Sequence, residues 1–293
     1  MKIRVPASSA NLGPGFDCFG IAWQLYNELE FEIGGTGLDV SGCDKKYCNE
    51  NNLAFRAYDA VLRRFGLAHD SLHIRFLTSD IPISRGLGSS SALLVAGVMA
   101  ANGLHGLGMS REELLDIATA LEGHPDNVAP ALFGGLTVSA TEAGRPISVH
   151  FPLSDKLHFT ALVPPFELST EKARKVLPHD VPRADAIFNV SRSALLLNAL
   201  GSGDLKLLRT AMADRLHEPY RIPLIDGFDI ARGLAYKCGA DALCISGAGS
   251  TVLCVSAHAD FAERIESDLI AALPGWQAVE LAPDYTGAVI EEK

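Results

Sequence analysis

Residues 82–105 carry the feature that most restricts how this chain folds: "PISRGLGSSSA" runs straight into "LLVAGVMAANGLH". Nearly every side chain of the second stretch is apolar. The helix predicted from residue 89 onward is therefore apolar around most of its surface and belongs inside the protein. Its head is of another kind, with two glycines and four serines at the point where a helix leaves its first N–H groups unpaired. Two readings fit. The stretch is a turn whose serines cap the helix, or it is a loop whose bare backbone and positive helix end cradle a phosphate.

The rest of the composition narrows the setting. The chain has 293 residues, 48% hydrophobic and 20% charged, as an ordered globular protein with a substantial core does. A net charge of −10 argues against a nucleic-acid or anionic-membrane partner, though not against a phosphate held locally by amides and a metal. "MKIRVPASSA" lacks the apolar core of a secretion signal. The longest apolar run, residues 92–101, is half of the ~20 residues needed to cross a bilayer. A cytoplasmic location is expected. The six cysteines form no CxxC pair and no zinc spacing, so disulfides are not expected, and the sequon at Asn189 is expected to carry no glycan.

Along the chain, "KIRVPA" reads as a strand closed by Pro6, followed by a glycine-rich loop, "SSANLGPGFDCFG". "LYNELEFEI" and "LHIRFLTS" read as strands, and "NLAFRAYDAVLRRFG" as a helix stopped by Gly66. "SREELLDIATALEG" opens with a capping box, Ser110 and Glu113, and "FGGLTVSA" returns to strand. Beyond about residue 151 the pattern restarts. Strands are predicted in "LHFTALVPP", "DALCISG" and "TVLCVSA", and helices in "TEKARKVLP", "ADAIFNVSRSALLLNALG", "DLKLLRTAM", "IDGFDIARGLAYKCG" and "ADFAERIESDLIAAL". The economical division is two α+β halves, 1–152 and 153–293.

Three familiar sites are excluded. No lysine follows Gly88, so this is not a P-loop; GxGxxG breaks at Ser91; and neither Ser90 nor Ser250 sits in GxSxG. What remains is a lysine-free phosphate loop, and "PISRGLGSSSA" resembles the one in the GHMP kinase superfamily (galactokinases, homoserine kinases, mevalonate kinases and phosphomevalonate kinases). "VPASSANLGPGFDCFG" (5–20) resembles the N-terminal substrate motif of homoserine kinases, and "SGAGST" (246–251) the C-terminal glycine motif. "EGHPDNVAPALFGG" (122–135) and "HEPYR" (217–221) are similar as well, and all five stand in the family's order.

The resemblance implies a two-domain α+β GHMP kinase fold, with a ribosomal-S5-like N-terminal domain, a ferredoxin-like C-terminal domain and ATP between them. It implies ATP- and Mg2+-dependent phosphorylation of L-homoserine to O-phospho-L-homoserine in threonine biosynthesis, by a homodimer. The alternatives are another GHMP kinase, acting on mevalonate, a sugar or a diphosphocytidyl alcohol, or a non-catalytic sensor of the same fold.

Residue by residue, the resemblance places ATP on Pro82, Ile83, Ser84, Arg85, Gly86, Leu87, Gly88, Ser89, Ser90, Ser91 and Ala92. Asn52 matches the adenine-contacting position, or else caps the helix that follows it. Ser90 and Glu122 would hold Mg2+, which asks for hard oxygen ligands. Asn11, Asp17, His124, Asp126, Arg174 and Arg221 would bind the substrate, with Gly247 and Gly249 supplying backbone amides. The arginines suit a carboxylate because a planar guanidinium donates two parallel hydrogen bonds. Asn127, Asp126 and Thr170 would serve catalysis. Asn127 is expected to orient the hydroxyl. Asp126 is the only base the motif offers, or else a partner for the ammonium, and a strong base is not required.

Overall fold

The buried helix predicted from residue 89 onward is the axis of the first half. In the computed structural model, which describes residues 1–291, this half runs β1 (Lys2–Ala10), β2 (Phe19–Ile33), β3 (Leu38–Ser41), α1 (Leu53–Phe65) and β4 (Leu72–Ser79). It continues with α2 (Ser89–His105), α3 (Arg111–Glu122), α4 (Val128–Phe133), β5 (Leu136–Glu142) and β6 (Arg145–Phe151). The second half has β7 (His158–Val163), α5 (Thr170–Lys175), α6 (Arg183–Ser202), α7 (Leu205–Ala211), α8 (Glu218–Arg221) and α9 (Phe228–Cys238). It ends with β8 (Ala242–Ile245), β9 (Val252–Ser256), α10 (Phe261–Ala272), β10 (Gln277–Leu281) and β11 (Val289–Glu291).

Seven strands form the first sheet, in the order β11-β1-β2-β4-β3, with β5 on β2 and β6 on β5. Helix α2 is buried from Ser91 to Ala101 with one partial exception, Leu93. It can approach α1 closely because Gly97 has no side chain; a Cβ there would lie 2.1 Å from the Ala54 carbonyl. Expected local signals reappear. Ser110 and Glu113 form the capping box, and Gly66 ends α1 in the left-handed conformation.

The first strand departs from expectation. β1 does not stop at Pro6 but runs on to Ala10, and the register against β2 shifts between Pro6 and Ala7. A proline without an N–H is tolerated beside such a bulge. Ser8 and Ser9 are thus rigid strand residues, and the glycine-rich loop shrinks to residues 11–18.

The second sheet is antiparallel, ordered β10-β7-β9-β8. Numbered within this half, the order is 4-1-3-2 with helices after the first and third strands, the ferredoxin-like arrangement. β11 then leaves this half and pairs with β1, Lys2 opposite Glu291, covering an edge that would otherwise be open. The end of the second segment, as divided at 152/153, therefore lies in the first sheet. The larger apolar core also crosses the division: Leu157, Phe159, Leu196 and Leu253 join it, and Phe159 packs on Trp23 with ring centroids 5.0 Å apart.

All six cysteines are free thiols. Asn189 is buried, with its amide nitrogen donating to Asp214 at 2.6 Å, which leaves no room for a glycan. Among the described residues no helix is long and apolar enough to cross a membrane.

Candidate active site

A cleft of about 710 Å³ opens at the head of α2. Helices α1, α3, α5 and α7 are capped by the side chains of Asn52, Ser110, Ser169 and Asp204. α2 is not. Its N-cap is Gly88, in the left-handed region, and no side chain bonds to its first turn. The serines do not take the capping role that was one of their two readings: Ser90 Oγ and Ser91 Oγ each donate, at 2.9 Å, to the two oxygens of Glu122 at the end of α3. The amides of Ser89 and Ser90 are left as an open, partly positive surface.

Two glycines make this possible. A Cβ on Gly88 would sit 2.1 Å from Ser8 Oγ, and one on Gly86 would sit 2.1 Å from the Ser246 carbonyl. The loop is tied to the glycine motif of the other half, since Ser246 Oγ donates to the Gly86 carbonyl at 2.6 Å and the Thr251 amide to the Arg85 carbonyl at 3.1 Å.

Several residues expected to meet the nucleotide do other work. Ala92 is inside the helix, its amide already donating to Gly88 O, and Leu87 is in the core. Arg85 turns to the carbonyls of Ile83, Pro164 and Pro165. Pro82, Ser91 and, of the residues expected to bind substrate, Asp17 and Asp126 do not line the cleft, whereas Ile83, Ser84, Gly86, Gly88, Ser89 and Ser90 do; Asp17 stands behind Arg174, which does. Asn52 lines it too, but its Oδ1 caps α1 and its Nδ2 donates to the Tyr47 carbonyl, so its side chain is spent. Gly247 and Gly249 rim the cleft without free amides; these donate to Ala10 O and Ser246 O. The far end, lined by Tyr47, Phe76, Ile81 and Leu93, is apolar and suits a flat base; no sequence signal marked it.

The opposite end is charged. Asp17 accepts both arms of Arg174, at 2.6 and 3.1 Å, in a partly exposed pair. Asn11 and Asp17 both have positive φ, and Asn11 Oδ1 accepts from the Asp17 amide while its Nδ2 donates to Gly247 O. Strain of this kind persists where the surroundings enforce it. His124 Nδ1 pairs with Asp126 at 2.5 Å. Burial works against the charged imidazole, but the bond and charge of Asp126 prevail and raise its pKa. Asp126 is fully buried, and its Oδ2 has no partner. Thr170 is exposed at the cleft mouth.

Arg221 is the most unusual group. It is fully buried, and its guanidinium meets the carbonyls of Ala173 and Gly247 and His217 Nδ1, while Nη2 has no partner. Among the described residues no carboxylate pairs with it. Burial, then the charge of Arg174, brings it down to about 10. His217 Nε2 donates to Gly13 O, and burial lowers its pKa, so it stays neutral and offers Nδ1 to Arg221. Phe16 stacks on His217 and lies under both Arg174 and Arg221. Phe16 and His217 lay within recognised motifs, yet only burial and stacking give them a role.

Beside this group, burial pushes Glu218 up to about 8, opposed by the Ile245 amide, which donates to it at 2.7 Å. The folded protein keeps this proton where the unfolded chain, titrating near 4.5, has lost it. Stability is therefore expected to fall as pH rises from about 4.5 to about 8 and to level off above that. Denaturant unfolding at pH 5 and pH 8 should show wild type losing more stability between them than Glu218→Gln. Equal losses would contradict the assignment.

An open helix N-terminus, a carboxylate with two hydroxyls beside it and a lysine-free loop thus meet in one cleft. Sequence comparison supplies the family. "GHMP kinases N terminal domain" matches residues 52–135 and "GHMP kinases C terminal" residues 196–275. A homoserine kinase of Clostridium botulinum is 42% identical over 292 residues, covering 99% of this chain and 98% of its own. The crystal structure of a homoserine kinase from Cytophaga hutchinsonii superposes with a TM-score of 0.86 at 28% identity, covering 99% and 97% of the two chains. An L. major mevalonate kinase shares the fold alone, at 18% identity and TM-score 0.74 over 97% and 96%. The chain belongs to the GHMP kinases and, within them, to the homoserine kinase family. It is an ATP-dependent kinase acting on an alcohol.

Proposed function

We propose that the protein transfers the γ-phosphoryl group of ATP to the side-chain hydroxyl of L-homoserine, giving O-phospho-L-homoserine. The observation that carries this reading is Arg221: a buried guanidinium at the cleft with an orphaned Nη2 and no carboxylate of its own. Burying a charge this way is costly unless a partner arrives, and a substrate carboxylate is that partner. A neutral polyol does not supply one. Arg174 adds a second guanidinium, and Asp17, with the Asn11 side chain fixing its loop, offers a carboxylate to the ammonium.

The amides of Ser89 and Ser90 and the Gly86–Gly88 turn hold the polyphosphate. Glu122 and Ser90 gather hard oxygens where Mg2+ fits. When bound, the ion supplies charge neutralisation across the polyphosphate. Asn127 reaches the cleft with its Nδ2 free and orients the acceptor hydroxyl. Asp126, salt-bridged to His124, keeps this corner in place. A loose, metaphosphate-like transition state puts little weight on early deprotonation, so no strong base is assigned. The same reading carries a role in cytoplasmic threonine biosynthesis and a homodimer.

ADP release is to be measured with homoserine, serine, threonine, mevalonate and galactose in parallel. Homoserine is expected to give the highest kcat/KM; turnover of mevalonate without homoserine would overturn the substrate. Asn127→Ala is expected to lower kcat about tenfold to hundredfold, and Asp126→Asn by a smaller factor. Unchanged rates in both would reject these roles.

A further inference from the structure

We infer that Ser8 is a positioning residue for phosphoryl transfer, acting through Asn127; this rests on the phosphotransfer proposed above. Ser8 lies on β1, just past the bulge, and is fully buried. Its Oγ donates to Asn127 Oδ1 at 2.9 Å and lies 3.3 Å from the Asn127 carbonyl. An asparagine amide has two orientations that differ only in which end is oxygen, and its neighbours choose between them. Here Ser8 Oγ donates to Oδ1 and anchors the inner end of the carboxamide, holding the group at a fixed rotation about its side chain. Nδ2, for which the described residues provide no acceptor, is turned to the cleft as a donor.

Ser8 also touches the donor side. Its amide donates to Leu87 O at 3.1 Å, and its Oγ occupies the space a Cβ on Gly88 would need. One strand residue therefore contacts both the loop that holds the phosphates and the amide that faces the acceptor hydroxyl. Removing the hydroxyl takes away that anchor and frees the Asn127 carboxamide to rotate, so that it no longer holds the acceptor hydroxyl in one place. A misoriented group of this kind slows the step without greatly changing substrate affinity.

The test is a double-mutant cycle. Ser8→Ala, Asn127→Ala and the double variant are assayed for kcat and KM with the alcohol that wild type turns over. Failure of homoserine as acceptor would thus count against the proposed function and leave this cycle readable. Ser8→Ala is expected to lower kcat at least about fivefold, with KM for ATP within about twofold, and to have under twofold effect on kcat once Asn127 is alanine. An unchanged kcat for Ser8→Ala, or an equal loss in both backgrounds, would overturn the proposal. Should Ser8→Ala fail to fold by thermal unfolding, Ser8→Cys, a weaker donor of similar size, takes its place in the cycle, and the same results support or overturn the proposal.

Discussion

Replacing Arg221 with methionine is expected to lower kcat/KM for homoserine about 10²- to 10³-fold while leaving KM for ATP within about threefold. The magnitude follows from the environment. The guanidinium is fully buried, its Nη2 is unpartnered, and it rims the cleft at the end away from the apolar pocket around Tyr47 and Phe76. A charge-assisted pair made in such a place is worth several times an exposed one, because solvent cannot screen it. The fold loses three hydrogen bonds, to Ala173, Gly247 and His217, but is also relieved of an unpaired buried charge. The melting temperature is therefore expected to move by only a few degrees. Steady-state kinetics against both substrates, with thermal unfolding alongside, decide the matter. A loss confined to ATP, or an unchanged KM for homoserine, would remove the carboxylate site.

Gly86→Ala is expected to damage stability and rate together. The residue has φ +78, and its Cβ would sit 2.1 Å from the Ser246 carbonyl and 2.8 Å from that of Gly249. The obstacle is backbone of the opposite half, which cannot rotate away. Left-handed strain of about 1–2 kcal/mol adds to the clash, and a total near 3 kcal/mol corresponds to a fall of about 6–12 °C in a chain of this size. Because the same loop presents the amides of Ser89 and Ser90, kcat is expected to drop at least about tenfold. Gly144→Ala is the control: φ is +80 but nothing lies within 4 Å of its Cβ, so only the strain is felt. Similar melting temperatures for the two variants would show that the loop is not braced by the glycine motif.

Local chemistry was legible in the sequence, and what depends on remote partners was not. α2 was readable because its apolar positions leave no solvent face, and the Ser110–Glu113 box because it closes within three residues. The serine caps on α2 failed for a reason invisible along the chain: Glu122, over thirty residues away, takes both hydroxyls. Pro6 seemed to end a strand because the bulge that accommodates it is formed with β2. β11 has only three residues and no periodicity to announce it; pairing with β1 alone makes it a strand. The site shows the same division. Motif positions such as Gly86, Ser90, Glu122 and Asn127 could be named, and the cleft brings them together. The Asn52 cap, closed within three residues, was one of the two readings the sequence allowed, whereas that the Gly247 amide is already occupied and that Arg221 finds no counter-ion among the described residues follow only from burial and long-range contacts.

The most direct measurement is a crystal structure with a non-hydrolysable ATP analogue, Mg2+ and homoserine bound together. The phosphates are expected on the amides at the head of α2, the amino acid's carboxylate on Arg221 and its hydroxyl beside Asn127. A nucleotide whose phosphates lie away from Gly88 and the first turn of α2, or a homoserine whose carboxylate avoids Arg221, would contradict the account.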